Sequence, residues 1–152
     1  MSTRLFSLLT ITLLAVTLTA CGGADAEPPA DEATTDSGAV TLTPVGNTME
    51  FKKTEFTVKA GQSVTLTFEN TATSPAMEHN VVVLNAASND VINRVGQAAL
   101  SAASNQYIPE DDAVLASTDL AKPGETVSVT FTAPDTPGEY AYICTFPGHY
   151  AM

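Results

Sequence analysis

An all-β domain, an antiparallel β-sandwich with Greek-key connections and one short helical insertion, is the architecture encoded between Val40 and Met152. Three observations lead there. Short runs rich in Val, Thr, Phe and Tyr recur with turn residues between them. Several of these runs alternate apolar and polar side chains, the period of two that marks a half-buried strand. Only one stretch carries helical spacing, so seven or eight strands and a single excursion make up the domain. Its 113 residues are the size of one ordinary domain.

The elements follow in order. Val40 to Val45 opens the domain, with short segments at Met49 to Phe51 and Glu55 to Lys59 behind it. Ala60 to Ser63 turns the chain into Val64 to Phe68, where Val64, Leu66 and Phe68 alternate with Thr65 and Thr67. Val81 to Leu84 shows no alternation and is expected to be buried on both faces. From Ser88 to Ser104 the residues Val91, Ile92, Val95, Ala99 and Leu100 recur at helical spacing. Ser88 or Asn89 supplies an N-cap there, and Asp90 suits the positive end of the helix dipole. Thr126 to Thr132 alternates again, and Pro137-Gly138 turns into a last strand, Glu139 to Cys144. No internal repeat is visible.

Residues 1–20 stand apart. Arg4 precedes an apolar stretch, Leu5 to Leu18, which ends in Leu18-Thr-Ala-Cys21. A short apolar core with small residues before a cleavage point is an export signal. The final four residues resemble the bacterial lipobox, which implies that Cys21 becomes the lipidated first residue of the mature chain. An ordinary signal peptide or a membrane-spanning helix is the alternative, but the stretch is short for a bilayer span. Residues 21–39 then form an acidic linker. Asp25, Glu27, Asp31, Glu32 and Asp36 give it five negative charges and no positive ones. Such a segment cannot bury enough apolar surface to offset its ordering entropy, and its like charges and Pro28-Pro29 favour extension. As a flexible coil its eighteen residues from Gly22 span about 20–25 Å, and at most about 60 Å when stretched.

Charge narrows the partners. Removing the leader leaves five basic residues against seventeen acidic ones, net −12, and the domain alone carries −7. Nucleic acid and anionic headgroups are poor partners for that surface. A basic patch on another protein is a better one, since complementary charge speeds encounter. Acidity also serves simple solubility.

Chemistry rests on few side chains. The chain holds only two histidines, His79 and His149, and two cysteines, Cys21 and Cys144. With Cys21 acylated, Cys144 is the only thiol left, so the mature chain forms no intramolecular disulfide. A lone thiol in an oxidising compartment is a liability unless its sulfur is occupied, and a bound metal would occupy it. A buried inert cysteine is the plainer alternative. It loses ground because Cys144 shares one short loop with His149 and Met152, while His79 lies beside the buried Val81 to Leu84 segment. Two imidazoles, one thiolate and a weak axial thioether form the ligand set of blue-copper electron-transfer sites, tolerable to both Cu(I) and Cu(II).

Cys144-Thr-Phe-Pro-Gly-His149 and Glu78-His-Asn80 resemble the ligand loop and first-histidine segment of the cupredoxins, of the azurin and auracyanin kind. The resemblance extends through the helical excursion, Tyr107-Ile-Pro-Glu-Asp111, Gly124 to Phe131 and Gly138 to Ile143. It implies one type 1 copper ion, with His79, Cys144 and His149 as equatorial ligands and Met152 as axial ligand. It also implies that Asn80 and Thr145 brace the ligand loop and hydrogen-bond near the sulfur. Several features depart from the pattern. Glu78 stands where azurin has a glycine whose carbonyl approaches copper, and the azurin disulfide is absent. Met152 follows His149 by three residues, the amicyanin spacing, rather than by the four of azurin or the five of auracyanin. Relatives continue into one more strand after this methionine. Either the sequence is truncated, with the axial ligand being Met152 or a residue beyond it, or the last strand is dispensed with. Truncation is the expectation, since losing a core strand would expose its neighbour's edge.

These readings imply a lipid-anchored electron carrier on the periplasmic or extracytoplasmic side, not an enzyme and without a small-molecule substrate. It would work between redox proteins such as a cytochrome or a respiratory or photosynthetic complex. Pro75, Ala76, Met77 and Pro147 are expected to form an apolar docking patch with the edge of His149. Two other classes compete. An exported copper chaperone would carry more Met or His at an exposed site, whereas only four methionines occur, without a Met-rich tract. A thiol enzyme would need Cys144 and a histidine base beside a substrate cleft.

Overall fold

A computed structural model describes residues 37–151. The leader, Cys21, the linker up to Asp36 and Met152 lie outside the described residues. Two three-stranded sheets make up the domain. β1 (Ala39–Leu42), β2 (Ser63–Glu69) and β5 (Thr126–Thr132) form the first, in the order β1-β2-β5. β3 (Val82–Leu84), β4 (Val114–Ser117) and β6 (Tyr142–Ile143) form the second, in the order β4-β3-β6. Helix α1 (Asn89–Ala99) and a 3-10 turn at Ala103–Asn105 occupy the excursion between β3 and β4.

The alternation of β2 has a direct structural outcome. Val64, Leu66 and Phe68 are fully buried, and each contributes about 1.5–3 kcal/mol by leaving water. Thr65 faces outward, and its hydroxyl meets that of Thr130 on β5 at 3.1 Å, as the antiparallel register of the two strands requires. With Val40, Leu42, Val81, Val83 and Ala116, the apolar face of β2 fills the space between the sheets. β3 serves two cores at once. Val83 points into the inter-sheet core, while Val82 and Leu84 pack under Val95 of α1 with Ala113 and Ile143. That double burial is why this segment lacks alternation.

α1 begins where expected. Ser88 is the N-cap, its hydroxyl accepting from the Val91 amide at 3.4 Å, and Asp90 lies in the first turn. Val95, Gly96 and Ala99 are its buried residues, whereas Leu100 lies past its end and is exposed.

Three features differ from the sequence reading. β1 runs parallel to β2, because residues 43–62 between them form a crossover long enough to return the chain to the same end. The stretches Met49 to Phe51 and Glu55 to Lys59 do not extend into strands. A tight turn, with Val45 N–H donating to Glu50 O, leaves only a bridge between Pro44 and Phe51 and another at Thr57. Their apolar side chains Phe51, Phe56 and Val58 still pack on the core. β4 was not anticipated, since Ala116 and Ser117 after two aspartates carry little β-propensity. Among the described residues no helix is long and apolar enough to cross a membrane.

Candidate metal centre

The register of the second sheet builds the site. β6 pairs antiparallel with β3, Val82 opposite Ile143, so the residue after β6, Cys144, comes level with the chain just before β3. His79 is held there by an isolated bridge to Ala121. Its N–H donates to Ala121 O at 3.1 Å, and its carbonyl accepts from Ala121 N–H at 2.7 Å. Past Cys144 the chain turns back at Phe146 to His149, where His149 N–H donates to Phe146 O at 3.0 Å. Gly148 takes φ +88°, a conformation that glycine adopts without a Cβ penalty.

This turn brings three donors together. Cys144 Sγ lies 3.4 Å from His149 Nδ1, which lies 3.2 Å from His79 Nδ1. One ligand atom from each residue falls within 4.8 Å of the others, and all three residues are buried. Edges of this length suit a single ion bonded at about 2.0–2.3 Å to each atom. The donor set also fits: one soft sulfur and two imidazoles suit copper, and no carboxylate belongs to the group.

Burial sets the protonation states. It pushes the Cys144 thiol up to about 11, against the pull of the Asn80 and Phe146 backbone N–H groups on the sulfur. It also lowers His79 to about 4, with the nearby His149 acting in the same direction, and lowers His149. At neutral pH the centre therefore holds a thiol and two uncharged imidazoles. With both Nδ1 atoms turned inward, His79 Nε2 is buried without a hydrogen-bond partner among the described residues. A nucleophilic cysteine needs its thiol lowered, so the upward shift speaks against thiol catalysis. A cavity of about 500 Å³ bordered by Phe51, Tyr142, Cys144 and His149 does not change that.

Asn80 and Thr145 are tied to each other. The Asn80 carboxamide oxygen accepts from Thr145 N–H at 2.8 Å, and its Nδ2 lies 2.9 Å from Thr145 Oγ1. The groups that reach the sulfur itself are the backbone N–H of Asn80 and that of Phe146. Phe146 was missed in the sequence reading because a backbone donor leaves no side-chain signature. Asn70 was missed too. Buried at the end of β2, it donates to Met77 O at 2.8 Å and to Ala121 O at 2.9 Å, closing the 70–77 loop over His79. Pro75, Ala76 and Pro147 are exposed and Met77 is half-buried, while His149 is only 3 % exposed, so its edge adds little to the expected patch. Met152 lies outside the described residues.

A β-sandwich with one thiol and two imidazoles converging inside it defines the blue copper class of cupredoxins. The chain belongs to the plastocyanin/azurin family of copper binding proteins, whose family model matches residues 38–152. It is 39 % identical over 153 residues to Auracyanin-A of Chloroflexus aurantiacus, covering 98 % of this chain and 92 % of that one. It is 38 % identical over 109 residues to Outer membrane protein H.8 of Neisseria meningitidis, covering 68 % of this chain and 58 % of that relative. The crystal structure of dithionite-reduced auracyanin from the photosynthetic bacterium Roseiflexus castenholzii superposes with a TM-score of 0.69 at 38 % identity. That match covers 76 % of this chain and 90 % of the other. Cupredoxins of this family bind one type 1 copper ion and are electron carriers, not enzymes.

Proposed function

We propose that this protein is a lipid-anchored blue copper carrier of single electrons between redox proteins on the outer side of a membrane. In this reading His79, Cys144 and His149 are the equatorial ligands, and Met152 supplies the axial thioether. The buried triangle of His79 Nδ1, Cys144 Sγ and His149 Nδ1 carries the reading. Copper, when bound, supplies a one-electron Cu(I)/Cu(II) couple. The protein's own contribution is to hold the three donors in one arrangement, so that little reorganises as the charge changes. The His79 bridge to Ala121, the Asn80–Thr145 pair and the turn at His149 do this. Burial of all three residues excludes water and argues against a copper chaperone, which needs a labile, exposed site.

The exposed Pro75, Ala76 and Pro147, with the half-buried Met77, are the apolar side chains this reading offers the partner. Tethering is supported by Leu18-Thr-Ala-Cys21 and by the match to Auracyanin-A, which extends into the N-terminal region. A lipid on Cys21 would keep the domain within reach of a cytochrome or a respiratory or photosynthetic complex in the same membrane. Adding Cu(II) to the domain tests the central reading: intense visible absorption and a reversible one-electron couple are expected, and both are lost in Cys144→Ser. A colourless adduct would refute it. Two further measurements address anchoring and docking. Cys21→Ser should release the chain from membranes on fractionation, and Ala76→Asp with Met77→Asp should slow transfer without changing the spectrum.

A further inference from the structure

The end of the helical excursion carries an unusual corner. Gln106 and Tyr107 both have positive φ, +55° and +62°, the only non-glycine residues to do so among those described. L-residues rarely adopt this conformation, and two in succession persist only where surrounding contacts hold them. The Gln106 and Tyr107 N–H groups close the preceding turn, on Ala103 O at 3.3 Å and Ala102 O at 2.9 Å, and the other contacts lead toward the metal centre. The Gln106 carbonyl accepts from Asn80 Nδ2 at 3.0 Å. Its side chain, though exposed, is tied at both atoms: Oε1 accepts from Leu120 N–H at 2.6 Å, and Nε2 donates to Asp119 Oδ1 at 3.1 Å. Leu120 precedes Ala121, the bridge partner of His79. The Tyr107 ring stands edge-on to Phe146, centroids 5.3 Å apart, and Phe146 stands edge-on to His149 at 5.0 Å.

We propose that Gln106 and Tyr107 are positioning residues of the metal centre. Gln106 locks the Asn80 carboxamide, and so the first-histidine segment and Thr145, to the 119–121 segment, while Tyr107 seats Phe146 against His149. One corner thus holds both pieces of chain that carry the donors. Asn80 has one carboxamide serving two masters: its oxygen takes the Thr145 N–H and its nitrogen is shared between Thr145 Oγ1 and the Gln106 carbonyl. In its left-handed conformation Gln106 presents its carbonyl to Asn80 while its side chain grips Leu120. Outer groups of this kind orient ligands and tune the metal they hold. The inference rests on the copper reading above for its consequence, but its geometry belongs to the metal-free chain.

Nuclear magnetic resonance of the metal-free protein separates the two. In the wild type the Asn80 side-chain amide protons should exchange far more slowly than those of Asn47, whose partner Thr73 is at the surface. In Gln106→Ala the Asn80 protons should exchange about tenfold faster or more, as a local opening equilibrium shifts. The copper-loaded variant should retain copper about tenfold less tightly, with a lower reduction potential because the donors to the sulfur relax. Tyr107→Leu should instead move the His149 ring resonances and the visible band, leaving Asn80 exchange as in the wild type. Wild-type exchange and potential in Gln106→Ala would overturn the proposal. Should that variant not fold, fast exchange of Asn80 in the wild type would overturn it equally. A wild type that binds no copper would refute the copper reading instead, and the metal-free exchange would still decide the role of Gln106.

Discussion

Cys144 and the two histidines set the acid–base behaviour of the centre, and it can be measured without any partner. The thiol, pushed up to about 11, is protonated at pH 7, while both imidazoles, lowered by burial, are already uncharged, each with one nitrogen open to the metal. Loading with copper at pH 7 should therefore release about one proton per ion, all of it from Cys144. Calorimetry in buffers of different ionisation enthalpy counts that proton, and release of two or more would mean that a histidine begins charged. The same shifts make the metal-free protein sensitive to acid. His79 accepts a proton near 6.5 when unfolded and only near 4 when folded. The unfolded state binds more protons in that interval, so stability is full above pH 6.5 and is lost as pH falls toward 4. For His79 alone the loss is about 3 kcal/mol. Chemical denaturation between pH 7 and 4 checks it, and bound copper should steepen the dependence, because the metal keeps protons off all three donors in the folded state while the unfolded chain binds them. These three residues were legible in the sequence because so few candidates existed and their types point to one ion. The groups at the sulfur were less so: a backbone N–H such as that of Phe146 looks the same in any residue, and the Gln106 corner is a conformation rather than a composition.

Helix α1 shows how an element remote from the donors bears on them. Its Gly96 is buried, and a Cβ there would come within 2.5–2.6 Å of the Tyr150 ring. The ring of the residue that follows His149 thus lies flat on the helix, and glycine is what admits it. Gly96→Ala improves intrinsic helix propensity by about 1 kcal/mol, but it must displace an aromatic ring joined directly to His149. Overpacking of this kind costs about 1–3 kcal/mol. The expected outcome is a net loss of stability together with an altered visible band in the copper protein. A thermal melt raised by the substitution, with the band unchanged, would show that Tyr150 is free to leave. Arg94 anchors the same helix to Asp111 ahead of β4, and the Ala113 N–H and that guanidinium hold the Asp111 carboxyl below its ordinary value. The helix and the long strands were legible because period and capping are local signals. The bridges at Phe51 and Thr57, the parallel pairing of β1 and the short β4 were not, since each depends on where distant chain passes rather than on its own residues.

The domain is acidic, and Pro75, Ala76 and Pro147 are exposed and uncharged. The domain's net charge of −7 acts at long range, whereas Pro75, Ala76 and Pro147 act only on contact. In the proposed reading, two copies meeting to exchange an electron bring these residues together against the repulsion of both bodies. At about 0.01 M salt the screening length is about 30 Å, comparable with the diameter of the domain, and at 0.15 M it is about 8 Å. Electron self-exchange between oxidised and reduced copies should therefore quicken on the order of tenfold across that range. Transfer to a positively charged partner should slow across it, because the same charge then steers the encounter. Ala76→Asp places the charge inside the contact rather than around it, so its self-exchange should be slow and should stay slow at 0.15 M, where the distant charges no longer act. Line broadening of mixed-valence samples measures the rate. A wild-type rate indifferent to salt would show that repulsion between the two acidic bodies does not limit the encounter.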